Sequence, residues 1–551
     1  MRGVRQRFPE RGTIKTVSRT IPDYIHKGRA TDFLDNPKDY RLRRGLEMLP
    51  GILSWTTLVA MLVGSFLVPH WVALFIIAFD TYWVINGLYF AVFIIRNTVR
   101  MKRHQREDWV ARLEALPQGD IRVPVDSWKD VIHLVVFPFY QESADVLRST
   151  MDAMLASDFP HEQIWVVLAG ERRAGETAQK TAAAIEKEYA HRFGRFLLTV
   201  HPADTPGELA GKGSNQAYAL REVAVPTLID AAKISYERVL VSSFDSDTRV
   251  YPGYFSCLTY HFLTAPHPQR SSYQPIAVYN NNIWEAPLLS RLPAIGSTAW
   301  QLFMQSQPNL QETFSSHSMP LRALADVGYW NARLVSEDSI IFWQCYLLYD
   351  GDYDMVSLYY PVSMDANVAS NIWTTAKSIF KQYRRWAYGI EKIAFVWYGF
   401  AKNPRIPWRK KLKRGSKIIA GFWIWATASF MLLFLGWLPV AIGGEVFRQT
   451  VLAFNLPRWT AILMRLAMLG LLVNGALTFI LLPPRPKGTS RMVYVSVLLQ
   501  WFFLPISIIL FGAVPALSAQ TKMLRGKYLG FWVTEKVRKG KYEVADLSKR
   551  K

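Results

Sequence analysis

Asp245-Ser246-Asp247 closes the β-branched run 239–244. In an extended segment the period of two sets both carboxylates on one side, and paired hard oxygens suit Mg²⁺ or Mn²⁺ shared with substrate phosphates. The same tripeptide is also common turn chemistry. Ser336-Glu337-Asp338 precedes the apolar stretch 339–348. Two acids there complement a helix macrodipole, and Asp338 has the basicity that a hydroxyl-activating general base requires. Gly211-Lys212-Gly213-Ser214-Asn215 opens another helix, where backbone N–H groups and a lysine can hold an anion or simply cap the turn. Gln382, Arg385 and Trp386 fall at i, i+3 and i+4 and share a helix face. Ile379, Tyr383, Ile390 and Ile393, with Lys377, Lys381 and Arg384, also give that segment the character of an amphipathic helix on a lipid surface. Phe531-Trp532-Val533-Thr534-Glu535-Lys536 stands in a basic stretch that reads equally as a juxtamembrane tail.

The elements that carry these residues alternate. Short β-branched or aromatic runs at 131–137, 164–169, 196–200, 239–244 and 273–279 predict strands, and helical patterns at 143–156 and 177–193 lie between them, the mark of an α/β domain. In open α/β sheets ligands sit beyond the carboxyl ends of the strands, where the polar residues cluster here.

Around this domain the chain is apolar. Of 551 residues 50% are hydrophobic, with 20 Trp, 31 Phe and 25 Tyr, which excludes a disordered or fibrous protein. Runs at 49–68 and 71–95 predict a transmembrane hairpin, and further apolar runs occupy 418–444, 466–482 and 492–521. The N-terminal Arg2, Arg5, Arg7, Arg11, Arg41, Arg43 and Arg44, with no apolar h-region, place residues 1–48 in the cytoplasm without a cleavable signal peptide. Three simple crossings after a cytoplasmic domain would leave the basic tail outside. Pro505, Gly512 and Pro515 in the last run therefore predict a re-entrant hairpin bending near Pro505, with one long tilted helix as the alternative. The net charge of +22 suits an acidic lipid surface or a phosphorylated substrate. Nucleic acid is a poor partner, because the basic residues gather beside apolar runs and not on a recognisable reader. Cys257 and Cys345 are too few for a disulfide framework or a cysteine-based zinc site.

In this order the motifs resemble those of family 2 membrane glycosyltransferases of the cellulose, chitin and hyaluronan synthase type. Pro138-Phe139-Tyr140-Gln141-Glu142 resembles the family's Pro-x-Tyr-Asn-Glu, and Lys212 to Asn215 its second nucleotide loop. Asp245 and Asp247 match Asp-x-Asp, Glu337-Asp338 the Thr-Glu-Asp, Gln382, Arg385 and Trp386 the Gln-x-x-Arg-Trp, and Phe531, Val533, Thr534 and Lys536 the Phe-x-Val-Thr-x-Lys gating loop. The resemblance implies a GT-A (Rossmann-like) cytoplasmic domain at 98–372, interfacial helices at 373–412, and an α-helical transmembrane bundle formed by 49–97 and 413–521. A tail at 522–551 bears the lid, and both termini of a multi-pass cell-membrane protein are cytoplasmic. It implies Asp338 as base, Asp245 and Asp247 on Mg²⁺ or Mn²⁺, and a nucleoside-diphosphate sugar, most simply a UDP-sugar. The donor would be held by Pro138, Tyr140, Glu142, Glu171, Lys212, Asn215, Asp245 and the lid. Gln382, Arg385, Trp386, Glu337 and His317 would meet a growing β-glycan, with export as a coupled step. Departures occur where Leu168-Ala169-Gly170-Glu171-Arg172-Arg173 replaces a pair of aspartates, where Ser315-Ser316-His317-Ser318 stands on the acceptor side, and where Ser336 replaces Thr. Single transfer to a lipid acceptor is the first alternative. A transporter with a regulatory domain is a remote one, with Asp80 and Arg465 as its only intramembrane charges.

Overall fold

The computed structural model describes residues 20–485 and 490–530, so Phe531, Val533, Thr534 and Lys536 lie outside the described residues. Strands β1 (Ile132–Pro138), β2 (Ile164–Glu171), β3 (Arg195–His201) and β4 (Val239–Ser243) form where the β-branched runs predict them. Their side chains alternate between two cores. Val135 and Phe137 of β1 join Val166 and Leu168 of β2 on one face, while Leu134 and Val136 join Val167 and Ala169 on the other. Burial on both faces is why β1 and β2 read as nearly unbroken apolar runs. The sheet continues through β5 (Arg249–Val250), β6 (Ser271–Tyr279), β7 (His317–Pro320) and β8 (Asp354–Met364), in the order β3-β2-β1-β4-β7-β6-β8-β5. The first four are parallel, β7 runs antiparallel to β4 and β6, and β8 runs parallel to β6. A parallel Rossmann-like half is thus joined to a mixed half, a GT-A-like sheet. The carboxyl ends of β1, β2 and β4 open on one edge, from which the polar loops project.

The helices that matter to the site are α1 (Pro37–Leu67), α2 (Pro69–Arg106), α3 (Lys212–Tyr218), α4 (Leu288–Met304), α5 (Glu337–Leu348), α6 (Ile372–Ala387), α7 (Glu391–Lys402), α8 (Trp408–Leu433), α9 (Val451–Leu481) and α10 (Met492–Leu524). Among the described residues α1, α2, α8 and α10 are long and apolar enough to cross a membrane, and α9, 31 residues long, packs along α2. The run expected at 418–444 is not one helix. It stops at Leu433, and Pro439, Gly443 and Gly444 divide residues 434–448 into short turns.

The re-entrant hairpin is also corrected, because the backbone stays helical from Met492 to Leu524. Pro505 begins the helical turn Leu504–Ile508 after a 3₁₀ turn, and Pro515 begins Val514–Leu524 after a π-bulge. At such first-turn positions the missing N–H breaks no bond. Both ends of α10 meet elements that border the sheet domain. Tyr494 stacks edge-on against Trp284 and Ser496 bonds Arg291 of α4, while Arg44 donates to the carbonyls of Met523 and Leu524 at 2.8 and 2.7 Å. Between those ends α10 packs on α4 and α6.

Candidate active site

Beyond β4 the chain turns, and the N–H of Thr248 donates to the carbonyl of Asp245 at 2.9 Å. The extended geometry expected for Asp245 and Asp247 is therefore replaced by a turn that gives them different partners. Asp245 Oδ1 accepts from Lys212 Nζ at 2.7 Å and its Oδ2 from Ser315 Oγ at 2.5 Å. Asp247 is buried, and its carboxylate accepts the backbone N–H of Asp365 at 3.0 Å.

Lys212 is the joint of the site. The same Nζ that holds Asp245 lies 2.9 Å from Asp338 Oδ1 and 3.1 Å from Oδ2, so one cation from α3 links the end of β4 to the first turn of α5. Burial pulls the Lys212 pKa down, but Asp245, Asp338 and Glu337 push it up further and the net shift is upward. Gly213 makes the approach possible. A Cβ there would stand 2.9 Å from Glu337 Cβ and 3.3 Å from the Asn331 carbonyl, so α3 could not lie this close to α5 with any other residue. Of the two acids, Asp338 keeps 24% of its side chain exposed while Glu337 is only 2% exposed. Asp338 is thus the one that a substrate hydroxyl can reach. Burial and the neighbouring Asp338 raise the Glu337 pKa against the lowering effect of Lys212 and Arg385.

The loops after β1 and β4 are tied together by Glu142, which accepts from Tyr140 N–H at 2.8 Å and from Ser246 Oγ at 2.9 Å. Beside them Arg173 pairs with buried Glu171 and lies 4.7 Å from the centre of the Tyr140 ring. Tyr140, Glu171 and Arg173 form one rim, reached from Pro138 at the end of β1. Asn215 faces elsewhere: its amide donates to the Ala169 carbonyl at 2.6 Å and anchors α3 to β2.

On the other flank Trp386 packs near Tyr279, Phe314 and Tyr383, at 6.3, 6.3 and 4.8 Å between ring centres. Gln382 accepts from Asn367 at 3.1 Å, and Trp386 and Gln382 line a cavity of about 20 Å³ with Asp365 and Tyr279. His317 is fully buried, with Nδ1 3.0 Å from the Phe314 carbonyl. Burial lowers its pKa to about 4, so it stands beneath the site as a neutral support. Two contributors carried no motif. Ser315 steadies Asp245, and Glu391 of α7 accepts from Val335 N–H, Ser336 N–H and Ser336 Oγ at 2.7, 2.8 and 2.8 Å, fixing the turn that presents Asp338. Ser315 falls in the Ser315-Ser316-His317-Ser318 string already set apart in the sequence, whereas the only sign of Glu391 is an acid in an apolar helix.

Asp245 and Asp247 offer hard oxygen donors at the strand edge, and a cation there would take the Asp245 oxygen that the Lys212 ammonium now occupies. A divalent ion fits that donor set. Among the described residues one other group has ligand spacing: His104, Cys257 and His261, with donor atoms within 4.8 Å of one another. Arg100 and Arg112 act on His261 with positive charge, a field that opposes a cation there.

Residues 240–514 match the family model described as "Glycosyl transferase family group 2". No curated protein matches the chain. Among solved structures it is similar to mannosyltransferase PcManGT from Pyrobaculum calidifontis in complex with GDP-Man and Mn²⁺, at 14% identity over 80% of this chain and 100% of that one, TM-score 0.37. It is also similar to S. aureus TarS 1-349 in complex with UDP-GlcNAc, at 14% identity over 72% and 93%, TM-score 0.31. Those two likenesses are too distant to bear on the site. The family match takes in Asp245, Asp338 and Trp386, so the part of the chain from 240 to 514 is similar to glycosyltransferases of that group, on a GT-A-like sheet flanked by membrane-length helices.

Proposed function

We propose that this protein is a membrane-embedded inverting glycosyltransferase that moves a sugar from a nucleoside-diphosphate sugar, most simply a UDP-sugar, to a hydroxyl of a growing β-glycan. The observation that carries the reading is the single buried lysine holding both Asp245 and Asp338 within 3.1 Å. Donor phosphates belong at the Asp245 side and the acceptor at the Asp338 side. Lys212 holds the Asp338 carboxylate in place and carries positive charge towards the diphosphate. Asp338 takes the acceptor proton while the acceptor oxygen bonds to the anomeric carbon. The bond from that carbon to the diphosphate oxygen breaks, and the nucleoside diphosphate leaves with the electron pair. Mg²⁺ or Mn²⁺ held by Asp245 and Asp247 would supply charge compensation for that leaving group. Positioning and electrostatics do the rest. Tyr140, Glu142, Glu171 and Arg173 frame the nucleotide, and Trp386 with Gln382 and Arg385 provides the platform for the acceptor ring.

Phe531, Val533, Thr534 and Lys536 fit as a lid. Leu529, the next-to-last described residue, packs in one cluster with Leu209, Val335 and Tyr388, which delivers the chain beside the Lys212 and Asp338 turns. The lid needs a tail on the same side as the site. We place α10 along the membrane surface: a 33-residue helix is about 50 Å long, and contacts with α4 towards one end and with α6 and Arg44 towards the other favour a flat course. With α1, α2, α8 and α9 as the crossings, both termini and the catalytic domain are cytoplasmic.

The test is incubation of the purified protein in lipid with radiolabelled UDP-, GDP- and dTDP-sugars and Mn²⁺, followed by size analysis. Label in long chains supports glycan synthesis, label confined to a lipid-sized product replaces the glycan acceptor with a lipid, and no transfer from any donor refutes the enzyme.

A further inference from the structure

Where α2 emerges towards the sheet domain, Phe93, Arg96 and Arg100 of α2 face Gln305, Pro308 and Tyr359 across a cavity of about 290 Å³. Arg96 and Arg100 are one helical turn apart on a single face. Among the described residues neither has an ion-pair partner. Arg100 rests its guanidinium 3.6 Å from the centre of the Tyr359 ring, and its Nε is buried with no hydrogen-bond partner. Other polar side chains of the wall are occupied with one another. Gln305 accepts from Tyr359 N–H at 3.0 Å, Ser306 donates to Asn97 at 2.7 Å, and Ser357 donates to the Gln305 carbonyl at 2.8 Å. The cavity therefore presents two positive charges with no acid to answer them, and a guanidinium pair suits a phosphate.

The neighbouring face of α2 decides what bears that phosphate. Val92, Ile95 and Val99 are exposed large apolar residues on a helix of membrane-crossing length. They border Arg96 and Arg100, so an acyl chain lying along them ends at the two guanidiniums. Basic pockets at the ends of membrane helices are where charged headgroups are held. We propose that this cavity binds the phosphate headgroup of an anionic phospholipid of the phosphatidylglycerol class, docking the catalytic domain against the bilayer through Arg96 and Arg100. The site is separate from the Asp245 and Asp338 cleft.

Thermal unfolding of the full-length protein in detergent, at fixed ionic strength, tests this with three probes: dioleoylphosphatidylglycerol, dioleoylphosphatidylcholine and inorganic phosphate. A ligand that binds only the folded state raises its stability with the logarithm of its concentration above the Kd. Phosphatidylglycerol is expected to raise Tm by several degrees while the other two leave it unchanged, and the double variant R96Q/R100Q should lose the difference. R96Q alone, at an exposed position that tolerates glutamine, should weaken the apparent affinity at least threefold, which keeps the test sharp if the double variant unfolds. An equal rise with phosphatidylcholine, or a phosphatidylglycerol preference retained in R96Q/R100Q, overturns the assignment. An equal rise with inorganic phosphate overturns the lipid in favour of a soluble phosphate. No transfer activity is read, so the outcome is independent of the reaction proposed above.

Discussion

Asp245 and Trp386 stand on opposite sides of the base, and their loss should divide the reaction. Asp245→Ala removes a Lys212 partner and a metal donor, so it should abolish metal-dependent donor binding. Trp386→Ala removes aromatic surface and should raise the acceptor KM with donor affinity preserved. Equilibrium donor binding beside acceptor kinetics reads both, and equal losses of donor and acceptor binding in Trp386→Ala would mark a collapsed α6. Buried titratable groups set a second expectation. Burial lowers His133 and His261 to about 3 and His317 to about 4, so the native state binds fewer protons than the unfolded chain between those values and 6.5 and loses stability as pH falls through that range. Glu337 is shifted upward and Glu391 up to about 7, both chiefly by burial. Above 6.5 the native state then holds the extra protons, and stability should fall as pH rises towards 8. Tm measured across pH should peak near 6.5, and Glu337→Gln should flatten the upper limb. At this scale the sequence was informative where spacing carries chemistry, as at Lys212, Asp245 and Asp338. It set Ser315 apart only as part of a string with no role, and was silent on Glu391, whose work is to hold a turn distant along the chain.

Gly213 belongs to the scale of the element. It lets α3 close on α5, and Gly213→Ala must displace one of them, since Glu337 Cβ and a backbone carbonyl leave the new methyl no flexible neighbour. Lys212 should then lose register with Asp338. We expect turnover to fall at least tenfold with the sheet intact by circular dichroism, and unchanged turnover would show that the two helices are not required to be so close. Strands β1, β2 and β4 of the parallel half were legible because they are buried on both faces and largely apolar. The strands β5 and β7 are too short to show a period of two, and β8 is broken by Pro361 and by Tyr359 at a φ of 49°. Pro505 misled in the opposite direction, because a proline in the first turn of a new helical segment ends nothing.

The whole molecule joins the sheet to the bilayer, and its topology is open to a direct reading. With Cys257 and Cys345 replaced by serine, Ala545→Cys should resist an impermeant maleimide added to intact cells and react once the cells are opened. Labelling from outside would place the tail across the membrane and remove the lid. The alternation of apolar and polar blocks made the membrane-length helices and the sheet legible. The course of α10 was not, because hydropathy does not distinguish a helix that crosses from one that lies flat. The most direct test of the account is the anomeric configuration of the product, followed by NMR with an α-linked donor, together with turnover of Asp338→Asn at saturating substrate. A β-linked product from the wild type and a loss of about 10² to 10⁴ in turnover with donor binding kept in Asp338→Asn are predicted. An α-linked product, or near-normal turnover without the Asp338 carboxylate, would contradict it.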